Sequence, residues 1–139
     1  MNPDQITLVQ QSFAKVAPIS EMAASLFYDR LFAIAPDVKP LFAKADIREQ
    51  GKKLMGTLAV VVGGLTDLPA ILPAASRLAK LHVQYGVKPD HYAPVGAALL
   101  WTLERGLGEG WTPEVARAWT EAYTTLSDYM ISEAYGVSA

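Results

Sequence analysis

Cysteine is absent from the sequence, which excludes disulfides, thiolate metal sites and cysteine nucleophiles. Charge is also scarce. Charged residues make up 19% of the chain, and 12 Lys and Arg against 14 Asp and Glu leave a net charge of −2 without a basic run that would neutralise phosphates. No apolar run reaches the length of about 20 residues that a membrane-spanning helix needs, and residues 1–10 lack the basic-then-apolar order of a signal peptide. We therefore expect a cytoplasmic protein that binds neither nucleic acid nor membranes.

Apolar residues, in contrast, are plentiful, and their spacing indicates the fold class. They make up 51% of the 139 residues, a share typical of a folded globule rather than a disordered chain. They recur at intervals of three and four residues nearly throughout, and no stretch alternates as a strand does. The sequence also lacks internal repeats and long linkers. We predict an all-α protein in which residues 1–139 form a single domain.

Capping residues, prolines and glycines divide the apolar pattern into helices. Pro3, with Asn2 as its cap, opens the first helix, and Thr112 followed by Pro113 opens the last. The predicted helices span residues 3–17, 20–35, 46–63, 71–83, 92 to about 105 and 113 to about 133, with a short helical segment from Pro36 to about Phe42.

Three polar side chains interrupt apolar helix faces in this pattern. Tyr28 lies in the second helix, Gln50 in the third, and His82 near the end of the 71–83 helix. Taken alone, a buried histidine is more often a hydrogen-bonded core residue than a ligand, and a tyrosine or glutamine at a helix rim meets water. Taken together, inward polar groups from different helices of an apolar chain indicate a shared pocket. The second histidine, His91, is interpreted as a partly solvated or capping residue.

Motifs along essentially the whole chain resemble the bacterial globins, specifically the globin domain of flavohaemoglobins and its single-domain relatives. The motifs are LFYDRLF at 26–32, PLF at 40–42, EQGKKLM at 49–55, LAKLHVQYGVKPDHYAPVG at 78–96 and ARAWTEAYTTL at 116–126. The set is specific because order, spacing and residue type agree across the chain. The resemblance implies a globin fold whose helices pack around haem b, iron protoporphyrin IX.

On the distal side of the haem, where the gas binds, the resemblance assigns four residues. Tyr28 and Gln50 form the polar pair that faces the bound gas, Leu54 is the apolar residue over the iron, and Phe42 wedges against the haem face. Hydroxyl and amide donors stabilise the negative charge that oxygen acquires on ferrous iron. Glutamine, unlike histidine, does not readily occupy the sixth iron position, so we expect a five-coordinate ferrous iron.

On the proximal side, the resemblance makes His82 the axial iron ligand, with Leu78 as the packing leucine one turn before it. Tyr92 resembles the tyrosine that orients the ligand histidine from behind. In the family a glutamate of the last helix completes this network, but its aligned position here holds Ala134, and Glu133 comes one place early. Because one residue turns a helical side chain by about 100°, this departure puts the usual His–Tyr–Glu triad in question.

The resemblance implies two functions from different classes. The first is reversible binding of oxygen and other diatomic gases, including nitric oxide and carbon monoxide, for storage, transport or sensing. The second is nitric oxide dioxygenase activity, in which bound oxygen and nitric oxide give nitrate. A third alternative is a haem-free helical interaction module, since fold does not fix function. The presence of His82, Phe42, Tyr28 and Gln50 together argues against that alternative.

Partners follow from what the 139 residues contain. They include no counterpart of the flavin and nicotinamide domains of flavohaemoglobins, and no GxGxxG loop occurs. We therefore expect any catalytic turnover to need a separate reductase. The sequence leaves the oligomeric state open between monomer and homodimer.

Overall fold

Helices make up most of the part of the chain that the structure describes. The computed structural model describes residues 2–135, which form six α-helices joined by short 3-10 segments and turns, without a strand. The α-helices are α1 (Pro3–Val16), α2 (Ser20–Ile34), α3 (Ile47–Gly63), α4 (Leu68–Gln84), α5 (Tyr92–Leu107) and α6 (Pro113–Tyr135), and the longest 3-10 segment is Pro36–Phe42. The predicted all-α class is confirmed.

Three of the predicted helix starts coincide with side-chain caps. Asn2 accepts a hydrogen bond of 2.8 Å from the backbone N–H of Gln5, whose side chain accepts one from Asn2 in return. Asp46 caps α3, and the hydroxyl of Thr112 accepts from the N–H of Val115 at 3.2 Å at the start of α6. Each cap satisfies backbone donors that have no partner inside the helix.

Three helix boundaries differ from the predicted ones by two residues or more. α4 begins at Leu68 rather than at residue 71, because Pro69 occupies its first turn, where a missing N–H costs no hydrogen bond. α5 continues through Gly106 and ends before Gly108, whose φ of 54° suits glycine. α6 extends two residues past the predicted end, to Tyr135.

The core lies where α1, α2, α5 and α6 meet. Its most completely buried large side chains are Val9, Val16, Leu31 and Leu103. Within this core the indole N–H of Trp119 donates to the hydroxyl of Ser12 at 2.8 Å. This bond joins α1 to α6 and gives both buried polar groups a partner.

The packing of the helices leaves an opening between α3 and α4. α3 packs on α2 and α1, and α4 packs on α6, whereas α3 and α4 scarcely touch each other. Within residues 2–135 no single helix is long and apolar enough to span a membrane. The stretches Ile47–Gly63 and Leu65–Gln84 meet that criterion only as a pair, and they are bent by 52°. We call the space between these two helices the α3–α4 cleft; α3 carries Gln50 and Leu54, and α4 carries Leu78 and His82.

Candidate functional site

Tyr28 and Gln50, predicted as a pair, lie next to each other. Tyr28 is 5% exposed, and its hydroxyl oxygen is 3.5 Å from the backbone carbonyl oxygen of Gln50. The closeness of α2 and α3 depends on Gly51, where an added Cβ would lie only 2.8 Å from the Cβ of Ala24. Because glycine has no Cβ, the two backbones approach closely enough for the Tyr28 hydroxyl to reach α3.

Aromatic rings hold Tyr28 from the side of the Pro36–Phe42 segment. The ring of Phe42 lies edge-on to that of Tyr28, with centroids 5.5 Å apart, and Phe32 contacts both rings. Phe27 packs against the other side of Tyr28 at 5.0 Å. Edge-to-face contacts of this kind fix ring orientation. The predicted wedge residue Phe42 therefore contacts the predicted distal tyrosine directly.

Burial determines the protonation state of Tyr28. Loss of solvent raises the pKa of its hydroxyl to about 12. The group is therefore a neutral O–H donor across the physiological pH range. Gln50 and Leu54 stand one helical turn apart on α3, and both are half-buried. The α2 and α3 side of the cleft thus combines a fixed donor with an amide and an apolar side chain.

His82 lies in the last turn of α4 and is half-buried. Its Nδ1 is 3.5 Å from the hydroxyl oxygen of Tyr92, and the two ring centroids are 6.3 Å apart. Burial lowers the pKa of the imidazole, which favours the neutral ring. Within residues 2–135 no hydrogen bond reaches Nε2. Because Tyr92 occupies Nδ1, Nε2 is the nitrogen left for a metal.

Tyr92 is itself held by the last helix. The hydroxyl of Tyr123 donates to the backbone carbonyl of Tyr92 at 2.6 Å. Gly96 makes room for this contact, because a Cβ there would lie 2.5 Å from the ring of Tyr123. Burial raises the pKa of Tyr92 to about 12, with the nearby Tyr135 adding to the effect. Tyr92 therefore stays protonated and in place behind His82.

The turn that follows His82 is tied to the same helix. The backbone N–H of Val87 donates to the carbonyl of His82 at 2.9 Å, and Gly86, with φ of 91°, forms the turn between them. The hydroxyl of Tyr135 in turn donates to the carbonyl of Val87. The backbone that follows His82 is thus restrained by hydrogen bonds.

Glu133 forms hydrogen bonds with Ser76 and Tyr129. Its Oε1 accepts a hydrogen bond of 2.9 Å from the hydroxyl of Ser76 in α4 and one of 3.3 Å from Tyr129 in α6. The carboxylate therefore ties α4 to α6 one and a half turns before His82. Ala134, which occupies the aligned position, has no side chain that could bond Tyr92.

His91 is a capping residue, in agreement with its interpretation from the sequence. Its Nδ1 accepts a hydrogen bond of 3.0 Å from the backbone N–H of Lys88. Its Nε2 is 3.6 Å from a carboxylate oxygen of Asp37. Both ring nitrogens therefore face protein partners.

A family model for globins matches residues 25–130, a span that includes all the predicted site residues. The chain belongs to the globin family. The predicted fold is thereby confirmed at the level of the family, and with it the binding of haem and diatomic gases that is common to globins.

Curated relatives of this globin include longer proteins named flavohemoproteins. It is 34% identical to one from Rhodopirellula baltica over 128 residues, which cover 91% of this chain and 31% of the relative. It is 31% identical to one from Bordetella parapertussis over 133 residues, which cover 94% of this chain and 33% of the relative. A Bacillus subtilis flavohemoprotein is 26% identical over 128 residues, covering 91% and 32%. The chain thus spans about a third of the length of these relatives.

The donors around the α3–α4 cleft are compatible with haem rather than with a bare metal ion. Within residues 2–135 no group of three or more His, Cys, Asp or Glu side chains is arranged to hold a metal. A single imidazole, that of His82, suits an iron that arrives already chelated by a porphyrin. Leu81, beside it, is 43% exposed, and Phe42 and Leu54 are only partly buried. A planar apolar cofactor bound at His82 would cover exposed apolar surface of this kind.

A second opening of this globin lies away from His82. A cavity of about 870 Å³ separates α1, α2 and α3, and its lining includes Tyr28, Gly51 and Met55 but not His82. Tyr28 borders this cavity, while its hydroxyl reaches Gln50. Because neither His82 nor Gln50 lines it, this cavity is distinct from the candidate site at His82.

Sequence reasoning missed the residues that support the proximal side. Their contacts depend on the register between α6 and its neighbours, which helical periodicity leaves open. These residues are Tyr123, Tyr135, Ser76 and Glu133. One signal was available: Gly96 inside an apolar helix indicates close approach by another element. That element is the ring of Tyr123.

Proposed function

We propose that this globin holds haem b through Nε2 of His82 and reversibly binds oxygen at a five-coordinate ferrous iron. The observation that supports the proposal most is the placement of the buried Tyr28 hydroxyl beside Gln50, on the α2 and α3 side of the cleft, with His82 on α4. A pocket with one histidine on one wall and donors on another is what reversible binding of a polarised diatomic ligand requires.

Each residue then has a defined task. Haem, when bound, supplies an iron that takes a diatomic gas and can give up one electron, so that oxygen and nitric oxide together become nitrate and the iron becomes ferric. Tyr28 donates a hydrogen bond from its hydroxyl to the negatively polarised ligand, in place of the bond to the Gln50 carbonyl, and the amide of Gln50 is the second donor. Leu54 keeps water from the ligand. On the proximal side, His82 keeps its proton on Nδ1. The Nδ1–H donates a hydrogen bond to the hydroxyl oxygen of Tyr92, which fixes the orientation of the imidazole ring.

A second candidate function is nitric oxide dioxygenase activity, and the names of the relatives favour it. The matched proteins are flavohemoproteins, and the sequence resembles their globin domain along most of its length. Each nitric oxide removed consumes one electron. Continued turnover therefore needs an electron donor outside the 139 residues, for which we propose a reductase.

Stopped-flow mixing of the oxygen-loaded 139-residue chain with excess nitric oxide tests the proposal. We expect about one nitrate per haem, followed by a stall as ferric haem, because no flavin is present in the chain to return the electron. Adding a flavin reductase system with nicotinamide cofactor should restore turnover. Sustained turnover with nicotinamide cofactor alone would contradict this account. Absence of a haem absorbance band after haem addition would instead support the haem-free alternative.

A further inference from the structure

The charges of this chain are separated along the sequence in a way that its net charge conceals. Residues 39–88 hold eight of the twelve lysines and arginines but three of the fourteen acids. The remaining residues hold four basic and eleven acidic side chains. All eight cations of residues 39–88 are exposed. The part of the molecule that borders the α3–α4 cleft is therefore basic, and the rest is acidic.

The basic side chains nearest to His82 lie on and just after α4. Arg77 and Lys80 stand one turn apart on the solvent side of α4, and Lys88 follows in the next turn of the chain. α4 contains no Asp or Glu. By contrast, Arg48 of α3 is ion-paired with Glu21. The positive charge on α4 is thus available to another molecule.

Exposed apolar side chains accompany these cations. Val83 is 42% exposed and Tyr85 is 64% exposed, and both lie between Lys80 and Lys88. We call Arg77, Lys80, Val83, Tyr85 and Lys88 together the α4 surface. Apolar and aromatic groups flanked by exposed charges of one sign are typical of small, electrostatically guided protein interfaces.

We propose that the α4 surface docks an acidic electron-transfer protein that supplies electrons to the site at His82. The inference rests on the proposed function, in which each turnover needs an electron from outside the 139 residues. Docking on the helix that carries the proposed iron ligand brings the donor close to the redox centre. The acidic remainder of the molecule repels such a donor from other approaches and so orients the encounter.

A protein partner explains the surface better than a membrane or a nucleic acid. Three cations on one helix and its following turn are few for a polyanion, whose binding scales with the number of phosphates neutralised. The exposed ring of Tyr85 adds the amphipathic contact area that protein interfaces favour. Transient electron-transfer complexes bury little surface and depend on charge complementarity, which this surface supplies.

The test compares two double variants of the haem-loaded globin with the same change in net charge. K80E/K88E reverses two cations of the α4 surface, and K15E/R117E reverses two cations in the acidic remainder. Fully reduced flavodoxin, an acidic flavoprotein, is mixed with ferric globin under carbon monoxide, and the second-order rate of reduction is followed by stopped-flow absorbance. We expect K80E/K88E to lower the rate at low salt by about tenfold or more, and K15E/R117E by less than about threefold.

Salt and a small reductant provide the controls. At about 0.5 M salt the wild-type and both variant rates should converge, since screening removes the steering. Reduction by dithionite should be equal in all three proteins, which excludes damage to the haem site. Equal slowing by the two double variants, or a salt-independent rate, would overturn the docking proposal.

Two further outcomes separate the alternatives. If phosphatidylserine vesicles bind the wild type but not K80E/K88E while flavodoxin reduces both at the same rate, the surface binds membranes and the proposal is wrong. If nitric oxide is consumed with a small reductant, but the rate at which flavodoxin reduces the globin is the same with and without the charge reversals in the α4 surface, only the docking proposal is wrong. If nitric oxide is not consumed with either reductant, the proposed dioxygenase function fails, while the charge dependence of reduction still decides the docking.

Discussion

Tyr28 contributes a buried hydroxyl at a position where phenylalanine would pack equally well against Phe32 and Phe42. That hydroxyl reaches the backbone carbonyl of Gln50 at 3.5 Å, which is long for a hydrogen bond. A ligand that carries negative charge is a stronger partner for the same donor.

We predict that Tyr28→Phe speeds oxygen release by about tenfold or more, because a charge-assisted hydrogen bond contributes roughly 1.5–3 kcal/mol. Carbon monoxide release should change much less, since that ligand gains little charge. Both rates are measured by stopped-flow displacement. Tyr129→Phe, which makes the same chemical change on α6, is the matched control and should leave both rates unchanged. Equal acceleration of the two gases would point to a steric gate instead.

The two histidines offer a second test at the level of single residues. We predict that His82→Ala loses haem or its ferrous spectrum, because Nε2 of His82 is the nitrogen left for iron. His91→Ala should retain the spectrum and lose only the cap at Lys88, at a cost of about 1 kcal/mol of unfolding free energy. Absorbance of the ferrous protein and denaturant unfolding measure the two effects. The assignment is wrong if the spectra of the two variants are reversed.

Tyr28, Gln50 and His82 could be singled out from the sequence because each interrupts an apolar helix face, a feature that helical periodicity reveals. It could not predict the hydrogen bond from Ser76 to Glu133, which joins positions 57 residues apart and depends on how α4 lies on α6. The same limit applies to the contact of Tyr123 with the carbonyl of Tyr92. Contacts within a helix follow from spacing, whereas contacts between helices follow from packing angles and register.

Helix boundaries were predictable where a cap or proline marks them, as at Asn2 and Thr112. The predicted boundaries were wrong where a proline or glycine, which can either end a helix or lie within it, occurs near the boundary. The predicted start at residue 71 treats Pro69 as a helix breaker, but Pro69 lies in the first turn of α4. The predicted end near residue 105 treats Gly106 as a terminator, but Gly106 lies inside α5. Proline and glycine disturb a helix interior and yet are tolerated near its ends, so residue type alone does not fix the boundary.

The close crossing of α2 and α3 predicts how stability responds to an added Cβ on α3, and a second glycine of the same helix provides the control. Gly51→Ala should lower the unfolding free energy by about 1–2 kcal/mol, since its Cβ would lie 2.8 Å from that of Ala24 and overpacking outweighs the gain in helix propensity. Gly56→Ala should raise stability by roughly 0.5–1 kcal/mol, because nothing lies within 4 Å of its added Cβ. Urea unfolding measures both.

The same pair of variants tests the link from the crossing to the distal donors. Gly51→Ala should also change the oxygen release rate, because separating α2 from α3 moves Tyr28 away from Gln50. Gly56→Ala should leave that rate as in the wild type. Equal stability losses in the two variants would show that the close approach at Gly51 does not constrain the fold.

At the scale of the whole molecule, burial of tyrosines links stability to pH. Burial raises the pKa of Tyr28 and Tyr92 to about 12 and raises that of Tyr123 as well. The folded state therefore holds these protons at pH values where the unfolded chain, with an ordinary pKa near 10, has released them. Stability is fully present below about pH 10 and falls as the pH rises towards 12.

We predict that the unfolding free energy of the wild type falls steeply between pH 10 and 12, and that Tyr28→Phe loses less over that range. The share of Tyr28 is on the order of 3 kcal/mol once its hydroxyl is fully ionised. Denaturant unfolding at fixed pH values gives the slope for each protein, and Tyr85→Phe, which changes an exposed tyrosine, is the control. A Tyr28→Phe curve parallel to the wild type above pH 10 would show that the Tyr28 hydroxyl is not buried in the folded protein.

The packing of α4 on α6 has a consequence for the order of events during synthesis. The helix that carries His82 finds its main packing surface on a helix that leaves the ribosome after α5. The tie from Ser76 to Glu133 and the restraint of Val87 by Tyr135 form later still, near the end of α6. While the chain is being made, α2 and α3 can pack on each other, but α4 lacks the helix on which it mainly packs. If His82 holds haem as proposed, the cofactor reaches its final geometry only after α6 has been translated.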